Sequence, residues 1–294
     1  MTASLRLATV LALLLPLGSV AQPADRSGGH EFGIRYSAGG DAALDGAGPG
    51  AQIGVTSYQL SWRGRAALGE DTTALFGLEW SRHELDRTGA TWLPENLKAL
   101  TAQLGLARRL DERWRLLVNA APGIAGADGD LGDARADLAV LALASYDASP
   151  ELSWSFGLRY GVRSEHRLLP IAGVLWRFAP DWEFRLAWPE SGVSYRASEA
   201  LTWRAVASIL GGDYRLARDP RPEAAQSGPS WRGDWLEFRE VRVGLAVEYA
   251  FNRHLGLRVE GGYVVDRHFE FVQRDVELSA DGAPYGAAAL TARF

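Results

Sequence analysis

The sequence contains no cysteine. Disulfide cross-links, cysteine metal sites and a lipid anchor on an N-terminal cysteine are therefore excluded. Beyond the N-terminal region, no segment is apolar enough to span a bilayer as a helix. The formal charge of −5 provides no basic surface for nucleic acid. The chain also lacks the HExxH, G-x-S-x-G, P-loop and Rossmann fingerprints. We therefore expect no cofactor and no nucleic-acid partner.

The N-terminal segment has the three regions of an export signal. Arg6 precedes an apolar run from Leu7 to Leu17, and Ser19-Val20-Ala21 has the small-x-small pattern of a cleavage site. This pattern predicts a secretory signal peptide over residues 1–21. We expect a short segment over residues 22–30 and a single β-barrel over residues 31–294.

Apolar and polar residues alternate along most of the remaining chain. From Leu152 to Val162 every second residue is apolar, and serine, glycine or arginine lies between. The same alternation recurs from Val241 to Phe251 and from Leu255 to Val265. A period of two predicts β-strands with one apolar face. About fourteen such runs, in a range of roughly twelve to fourteen, are long enough to cross a bilayer as tilted strands.

The connections between these runs alternate between short turns and long loops. Tight turns occur at 110–112, 147–150 and 252–254, among other places. The long connections lie at 39–51, 84–96, 122–134, 211–235 and 267–283. We therefore predict an all-β fold, a transmembrane antiparallel up-and-down β-barrel with short periplasmic turns and longer extracellular loops.

Tryptophans recur at corresponding heights of the predicted strands. Level aromatic rings suit the two interfaces of a bilayer, whereas the alternative of a soluble sandwich or lipocalin-like barrel gives no reason for them. We place Trp80 and Trp188 at the extracellular ends of their strands. The predicted aromatic belts comprise Trp62, Trp80, Trp114, Trp154, Trp176, Trp182, Trp188 and Trp203.

If the apolar face contacts lipid, the other face lines a lumen that carries both signs of charge. The predicted lumen-facing charges are Glu79, Arg159, Arg163, Arg177, Glu183, Arg185, Arg204, Glu240, Arg242, Glu248, Arg258 and Glu260. A water-filled lumen of this kind predicts a porin-like passive channel for small solutes. Paired charges that close the lumen predict instead a structural or surface-interaction barrel.

Catalytic and metal-binding patterns are sparse. The histidines lie scattered at strand ends and in loops, and no spacing places one beside a serine or aspartate, so we do not predict an enzyme. An outer-membrane hydrolase remains the third hypothesis. Asp128, Asp130 and Asp133 in a glycine-rich loop could bind Ca²⁺ or bridge lipopolysaccharide phosphates, although a solvated loop is the simpler interpretation.

Several stretches resemble a known type of protein. LLPIAGVLWRFAPDWEFRLAWPESGVSYR, GGYVVDRHFEF and the last strand ending at Phe294 are similar to Gram-negative outer-membrane β-barrels. Within that type they resemble a barrel family of unknown function. The resemblance implies an outer-membrane location, contact with lipid and lipopolysaccharide, and recognition of Phe294 and Leu290 by the barrel-assembly machinery. Ala288 and Ala292 depart from the bulky residues usual before the terminal phenylalanine.

Overall fold

The computed structural model describes residues 29–89, 93–129, 134–162, 167–221 and 228–294. The predicted signal peptide, Arg163, Asp130 and Asp133 lie outside these ranges. In the described ranges, no helix has the length and apolar character needed to cross a membrane.

The regular structure of the described residues consists of β-strands. Their bounds are β1 Gly29–Asp45, β2 Gln52–Ala67, β3 Thr72–Thr88, β4 Asn96–Arg109, β5 Trp114–Ala127, β6 Arg135–Asp147, β7 Leu152–Gly161, β8 Leu168–Ala179, β9 Trp182–Leu186, β10 Glu190–Arg196, β11 Leu201–Leu216, β12 Trp235–Ala250, β13 Leu255–Phe271, β14 Val276–Ala280 and β15 Ala283–Arg293.

The strands form one closed antiparallel barrel. Each strand from β1 to β13 pairs with its neighbour in sequence, and β15 pairs with both β13 and β1. Ile34 of β1 lies opposite Leu290 of β15, as expected for a last strand that closes against the first. β14 and β15 both lie between β13 and β1, so they are two parts of one strand interrupted at 281–282. The predicted barrel of about fourteen strands is thus confirmed.

The outward face of the barrel is apolar. Every second residue of β1 faces outward, and Ile34 is 58% exposed; on β12, Leu245 is 66% exposed. A continuous apolar surface of this kind is rare on soluble proteins and suits a lipid environment. The alternation in the sequence therefore encodes a lipid-facing band, with the polar face turned inward.

Much of the chain predicted as long extracellular loops is strand. β11 continues to Leu216, although a loop was predicted from residue 211, and β5 continues to Ala127, well inside the predicted loop 122–134. Both loop boundaries are wrong. The physical reason is that Tyr214 and Leu216 continue the alternation and are buried inside the barrel, as Ala127 is.

The upper part of β11 remains paired with β12 and also crosses to β5. Arg215 pairs with Gly126 and Leu216 with Ala127, in parallel orientation. Gly211 has a φ of 139°, and a Cβ atom there would lie 1.9 Å from the carbonyl oxygen of Phe238, so only glycine permits this path. We call Ile209–Leu216 the crossing segment. Above the upper ends of β6–β10, the crossing segment pairs with β5. This pairing closes a smaller ring that consists of β1–β5 and β11–β14.

An apolar core fills this smaller ring, and we call it the cap. Its members come from strands on all sides of the ring and are almost fully buried. Its large side chains are Leu44, Ile53, Val55, Leu85, Leu93, Leu97, Tyr214, Leu216, Trp231, Leu236, Phe238, Phe269, Phe271 and Leu278. The cap closes the extracellular end of the barrel axis.

The wall is low where β9 and β10 form a short hairpin. The pair Val174–Leu186 is the uppermost between β8 and β9, and the pair Glu190–Ser208 is the uppermost between β10 and β11. Above these pairs, in the described part of the chain, no strand lies between β8 and the crossing segment. We call this gap the side opening; it is bounded below by the hairpin turn 187–189.

Candidate functional site

An open cavity of about 170 Å³ lies inside the barrel beneath the cap. Its walls carry hydroxyl, amide and charged groups, including Ser57, Gln59, Thr101 and Arg242. The cavity also reaches Pro189 and the lower end of the crossing segment, which form the edge of the side opening. The polar lumen therefore extends to the gap in the wall.

Arg258 connects three carboxylates across the lumen. Its guanidinium donates to Glu190 at 2.9 and 3.0 Å, to Glu260 at 2.7 Å and to Glu248 at 3.5 Å. Arg204 pairs with Glu248 at 3.1 Å, which extends the network towards β11. Four predicted residues, Arg204, Glu248, Arg258 and Glu260, are therefore brought together with Glu190 as a network of opposite charges, in which each partly buried charge has a partner.

A second network lies directly below the cap. Glu240 binds Arg242 at 2.7 Å and Arg267 at 3.4 Å, and all three side chains are at most 2% exposed. Arg267 also donates to the carbonyl oxygen of Ile53 at 2.7 Å, which ties β13 to β2 on the inner side of β1. Arg242 lines the polar cavity, and the cap members Ala99 and Tyr214 border the cavity beside it.

The accessibility of the charged groups falls towards the cap. The side chains of Glu79, Arg204 and Glu248 are 16%, 24% and 31% exposed. Those of Glu240 and Arg267, next to the cap, are fully buried. The charged groups farther from the cap are therefore partly exposed, whereas those next to the cap are buried.

Four other predicted lumen residues lie outside these two networks. Glu183 pairs with Arg185 at 2.8 Å and with Arg177 at 3.4 Å near the periplasmic turns. Arg159 is 4% exposed, and among the described residues it makes no hydrogen bond; Asp137 and Asp213 are the charges that act on it. Arg159 thus faces the crossing segment from the inner side of β7.

Sequence reasoning missed four residues of the site. Arg35 and Arg63 follow the alternation of β1 and β2 and could have been identified from it. Glu190 was placed in a connection, and Arg267 lies beyond an extra residue in β13, so neither position followed from the pattern.

Ser57 and His83 also form a pair that sequence spacing did not indicate. They lie on neighbouring strands, and Ser57 Oγ is 2.8 Å from His83 Nδ1. The ring of His83 packs beside Phe238 and Tyr214 of the cap. In the described part of the chain, no carboxylate binds the other ring nitrogen, as the orienting residue of a serine hydrolase would. The pair stabilises the underside of the cap.

The tryptophans lie in two kinds of environment. Trp114, Trp154, Trp176, Trp182 and Trp203 face outward near the short turns and are 39% to 49% exposed. Trp62 and Trp80 are half-buried. Trp188 differs from the prediction, because β9 ends at Leu186 and the indole turns inward to line a cavity.

Asp128 has protein partners for its carboxylate. Oδ1 accepts hydrogen bonds from the backbone N–H groups of Glu95 at 2.6 Å and Asn96 at 3.2 Å, and Oδ2 lies 3.4 Å from Arg218 Nε. Among the described residues no group of acidic or histidine side chains has metal-binding geometry. Asp128 serves here to hold the connection above β3 against β5 and the chain after β11.

The chain that follows the crossing segment is held on top of the cap by Asp219. Its carboxylate binds the Arg221 guanidinium at 2.7 Å and accepts a hydrogen bond from the backbone N–H of Trp231 at 3.1 Å. Trp231 packs against Phe271 with ring centroids 4.9 Å apart, and Arg221 lies 4.9 Å from the Trp231 ring. The Arg221 guanidinium, together with backbone N–H groups, holds the pKa of Asp219 well below its usual range.

Several solved structures of outer-membrane proteins are similar to this chain. The COG4313 outer membrane channel from Pseudomonas putida F1 matches with a TM-score of 0.50 and 11% identity over 92% of this chain and 99% of that chain. A Pseudomonas aeruginosa FadL homologue matches at 0.48 and 10% identity over 92% and 90%. The toluene transporter TodX of P. putida matches at 0.47 and 10% identity over 94% and 92%. At these identities the likeness concerns the fold alone.

No curated protein matches the sequence. A family model described as a domain of unknown function, DUF6268, matches residues 73–288, which is most of the barrel. The chain therefore belongs to the DUF6268 family.

Proposed function

We propose that the protein is an outer-membrane channel for the passive passage of small solutes, and that solutes pass through the side opening. The observation that carries this proposal is the extent of the polar cavity. It ends below the cap but reaches Pro189 and Gly211 at the edge of the side opening. The cap, in contrast, leaves no polar path along the axis.

The height of the wall supports a passage that lies within the membrane. β9 has five residues, and at a rise of about 3.3 Å per residue it spans about 17 Å before any allowance for tilt. The apolar band of an outer-membrane barrel is about 25 Å tall. The hairpin turn 187–189 therefore lies below the top of this band.

Backbone groups at the side opening favour water in it. The upper edge of β8 and the middle of the crossing segment have no strand partner on this side among the described residues. Open sheet edges are not tolerated against lipid, only against protein or a water-filled cavity. The side opening is therefore best occupied by water.

Pro170 lies at this unpaired edge. The backbone N–H and carbonyl groups of odd-numbered residues in β8 point to β7. The N–H of Gly161 donates to the carbonyl oxygen of Arg167, and the N–H of Arg177 donates to the carbonyl oxygen of Glu151. Pro170 therefore points to the side opening, where it has no N–H group to leave unpaired. The sequence thus reduces the polar cost of the open edge.

Conductance in a planar bilayer tests this proposal. Purified protein should give discrete current steps, and liposomes that contain it should admit small sugars. If the bilayers remain silent and the liposomes impermeable, the channel function is refuted.

The second candidate is a closed barrel with a structural or surface-interaction role. The cap and the charge network around Arg258 favour it, because together they fill or cross the lumen at two levels. This hypothesis requires silence in both assays above. It also requires that the loops above the cap bind a cell-surface partner.

A further inference from the structure

The wall of the polar cavity beneath the cap carries more positive than negative charge. Its charged lining residues are Arg35, Arg63, Arg242, Glu79 and Glu190. Both carboxylates are already engaged by arginine. Glu190 binds Arg258 through both of its oxygens, at 3.0 and 2.9 Å, and Glu79 lies 3.9 Å from Arg63. The charge that remains on the wall is therefore positive.

The excess positive charge arises at Glu240, which two arginines share. Glu240 binds Arg242 at 2.7 Å and Arg267 at 3.4 Å, and no other carboxylate of the described residues forms an ion pair with either guanidinium. One carboxylate cannot neutralise two guanidinium groups, which are always protonated. Arg242 is the member of this group that lines the cavity.

The guanidinium of Arg242 is held in place but incompletely paired. Nη1 donates to Ser37 Oγ at 3.1 Å, and the group lies 4.9 Å from the centre of the Tyr285 ring. Nη2 is buried without a hydrogen-bond partner among the described residues. Because the side chain is only 2% exposed, water screens its charge less than that of a surface arginine.

Arg35 adds a second positive charge close to Arg242. Its Nη2 atom lies 3.3 Å from Glu260, but Glu260 also binds Arg258 at 2.7 Å. The charges of Arg242 and Arg258 both act on Arg35. Like charges in one partly buried site repel each other, and an anion between them relieves the repulsion.

The cavity also offers hydroxyl groups to a solute. Ser81 and Ser208 line it, and neither hydroxyl forms a hydrogen bond with another side chain in the described part of the chain. A serine hydroxyl can donate to an anion through its hydrogen atom. The wall therefore combines fixed positive charge with free donors.

The positive wall is a local feature. The whole chain has a formal charge of −5, so the excess does not reflect a basic protein. Two carboxylates near the crossing segment, Asp137 and Asp213, act on Arg159, and neither lines the cavity. They therefore leave the excess charge at Arg242 in place.

We propose that the cavity binds small monovalent anions, carboxylates among them, and that these are the solutes favoured by the channel. The anion balances the charge at Arg242 and accepts hydrogen bonds from the wall. A volume of about 170 Å³ suffices, since an apolar cavity of about 150 Å³ holds benzene. The inference rests on the proposed function for passage, whereas binding can be measured independently.

Ligand-observed fluorine NMR on the purified, reconstituted protein in chloride-free buffer tests the inference. The probes are trifluoroacetate and trifluoroacetamide, which have nearly the same size and differ in charge. Trifluoroacetate should bind at least about threefold more tightly, the ratio expected from one unbalanced charge about 6 Å away in water. Added chloride should displace it.

Arg242→Gln should abolish the preference, because it leaves Glu240 and Arg267 as a balanced pair. Arg242→Lys keeps the charge and should retain the preference. Arg82→Gln is the matched control, because Arg82 pairs with Glu84 at 2.7 Å and does not line the cavity. If Arg242→Gln does not fold, Arg63→Gln decides the matter, since it removes another positive charge from the same wall.

Equal affinity for the two probes, or a preference that survives both Arg242→Gln and Arg63→Gln, would overturn the inference. If the preference is present but bilayers are silent, the anion site stands and the proposed function falls. If current steps occur but the preference is absent, the anion site alone falls.

The reversal potential in a potassium chloride gradient tests whether the bound class of solute is also the one that passes. Chloride should be more permeable than potassium in the wild-type protein, and Arg242→Gln should reduce the ratio. Equal permeability, or a preference for potassium, would overturn the claim that the channel favours anions.

Discussion

Arg258 on β13 and Glu190 at the upper end of β10 form a two-point contact, Nη1 to Oε1 at 3.0 Å and Nη2 to Oε2 at 2.9 Å. Such bidentate pairs are geometrically specific. This one crosses the lumen and fixes the hairpin that forms the lower boundary of the side opening.

Replacing Glu190 with glutamine should loosen the hairpin. The cost in stability should be below about 1 kcal/mol, because Glu190 is partly exposed and Arg258 keeps Glu260 and Glu248. The open time in single-channel records should lengthen. Glu31→Gln, which affects a carboxylate paired with Arg63 and Arg293 near the periplasmic end, is the control. The same gating in both variants would contradict this role of Glu190.

Truncation of Phe238 to alanine should open the axis. Phe238 is fully buried in the cap and its ring stacks on Phe269 with centroids 5.1 Å apart. The loss of stability should be about 3–5 kcal/mol, measured by denaturation, and conductance should rise. Phe251→Ala, on the exposed outward face, is the control, and it should change both stability and conductance less than Phe238→Ala does. Unchanged stability in the Phe238 variant would show that the cap is not a packed closure.

Removal of Phe294 should impair assembly. Its backbone N–H and carbonyl pair with His30 at 2.9 Å each, and its ring contacts Phe32 at 6.2 Å between centroids. The truncated protein loses the last pairing of the seam between the first and last strands. Outer-membrane levels should fall sharply, whereas the protein that does assemble should conduct normally. Normal surface levels would refute this.

The segment held by Asp219 should keep its order in mild acid. A pKa lowered in the folded state means that the stabilisation is present above the ordinary carboxyl pKa of about 3.9 and is lost only as the pH falls towards the lower folded value. Hydrogen exchange at the Trp231 amide should therefore remain slow, relative to its intrinsic rate, between pH 7 and about pH 4.5.

Asp219→Asn should remove that protection. The amide is neutral, so it loses the ion pair with Arg221 and weakens the acceptor for the Trp231 N–H. Equal protection in the variant and the wild-type protein would show that Asp219 does not hold the segment.

The barrel could be predicted because the alternation of apolar residues is strict in the lower halves of the strands. Residues such as Leu245 and Val259 must face lipid, and their positions set the register of the wall. The cap could not be predicted in the same way. Val241 of β12 pairs with Asp266 of β13, whereas the next residue, Arg242, pairs with Val264. Val265 is therefore an extra residue in β13.

This β-bulge reverses the alternation. By their spacing in the sequence, Phe269 and Phe271 continue the outward series of Val259 and Val265, yet they are fully buried inside the cap. A similar irregularity between Gly39 and Ala42 turns Leu44 inward. The networks around Arg258 and Arg267 depend on contacts between distant strands, which a single sequence does not specify.

Selective chemical modification tests the central claim most directly, because the chain has no native cysteine. Ser208→Cys places a thiol in the cavity beside Glu190 at the side opening, and Leu97→Cys places one in the fully buried cap. A charged, membrane-impermeant thiol reagent is added on the extracellular side during single-channel recording. We expect the current through the Ser208 variant to fall, whereas the current through the Leu97 variant should be unaffected. Rapid block of the Leu97 variant with no effect at Ser208 would show that solutes pass along the axis, and would contradict the account.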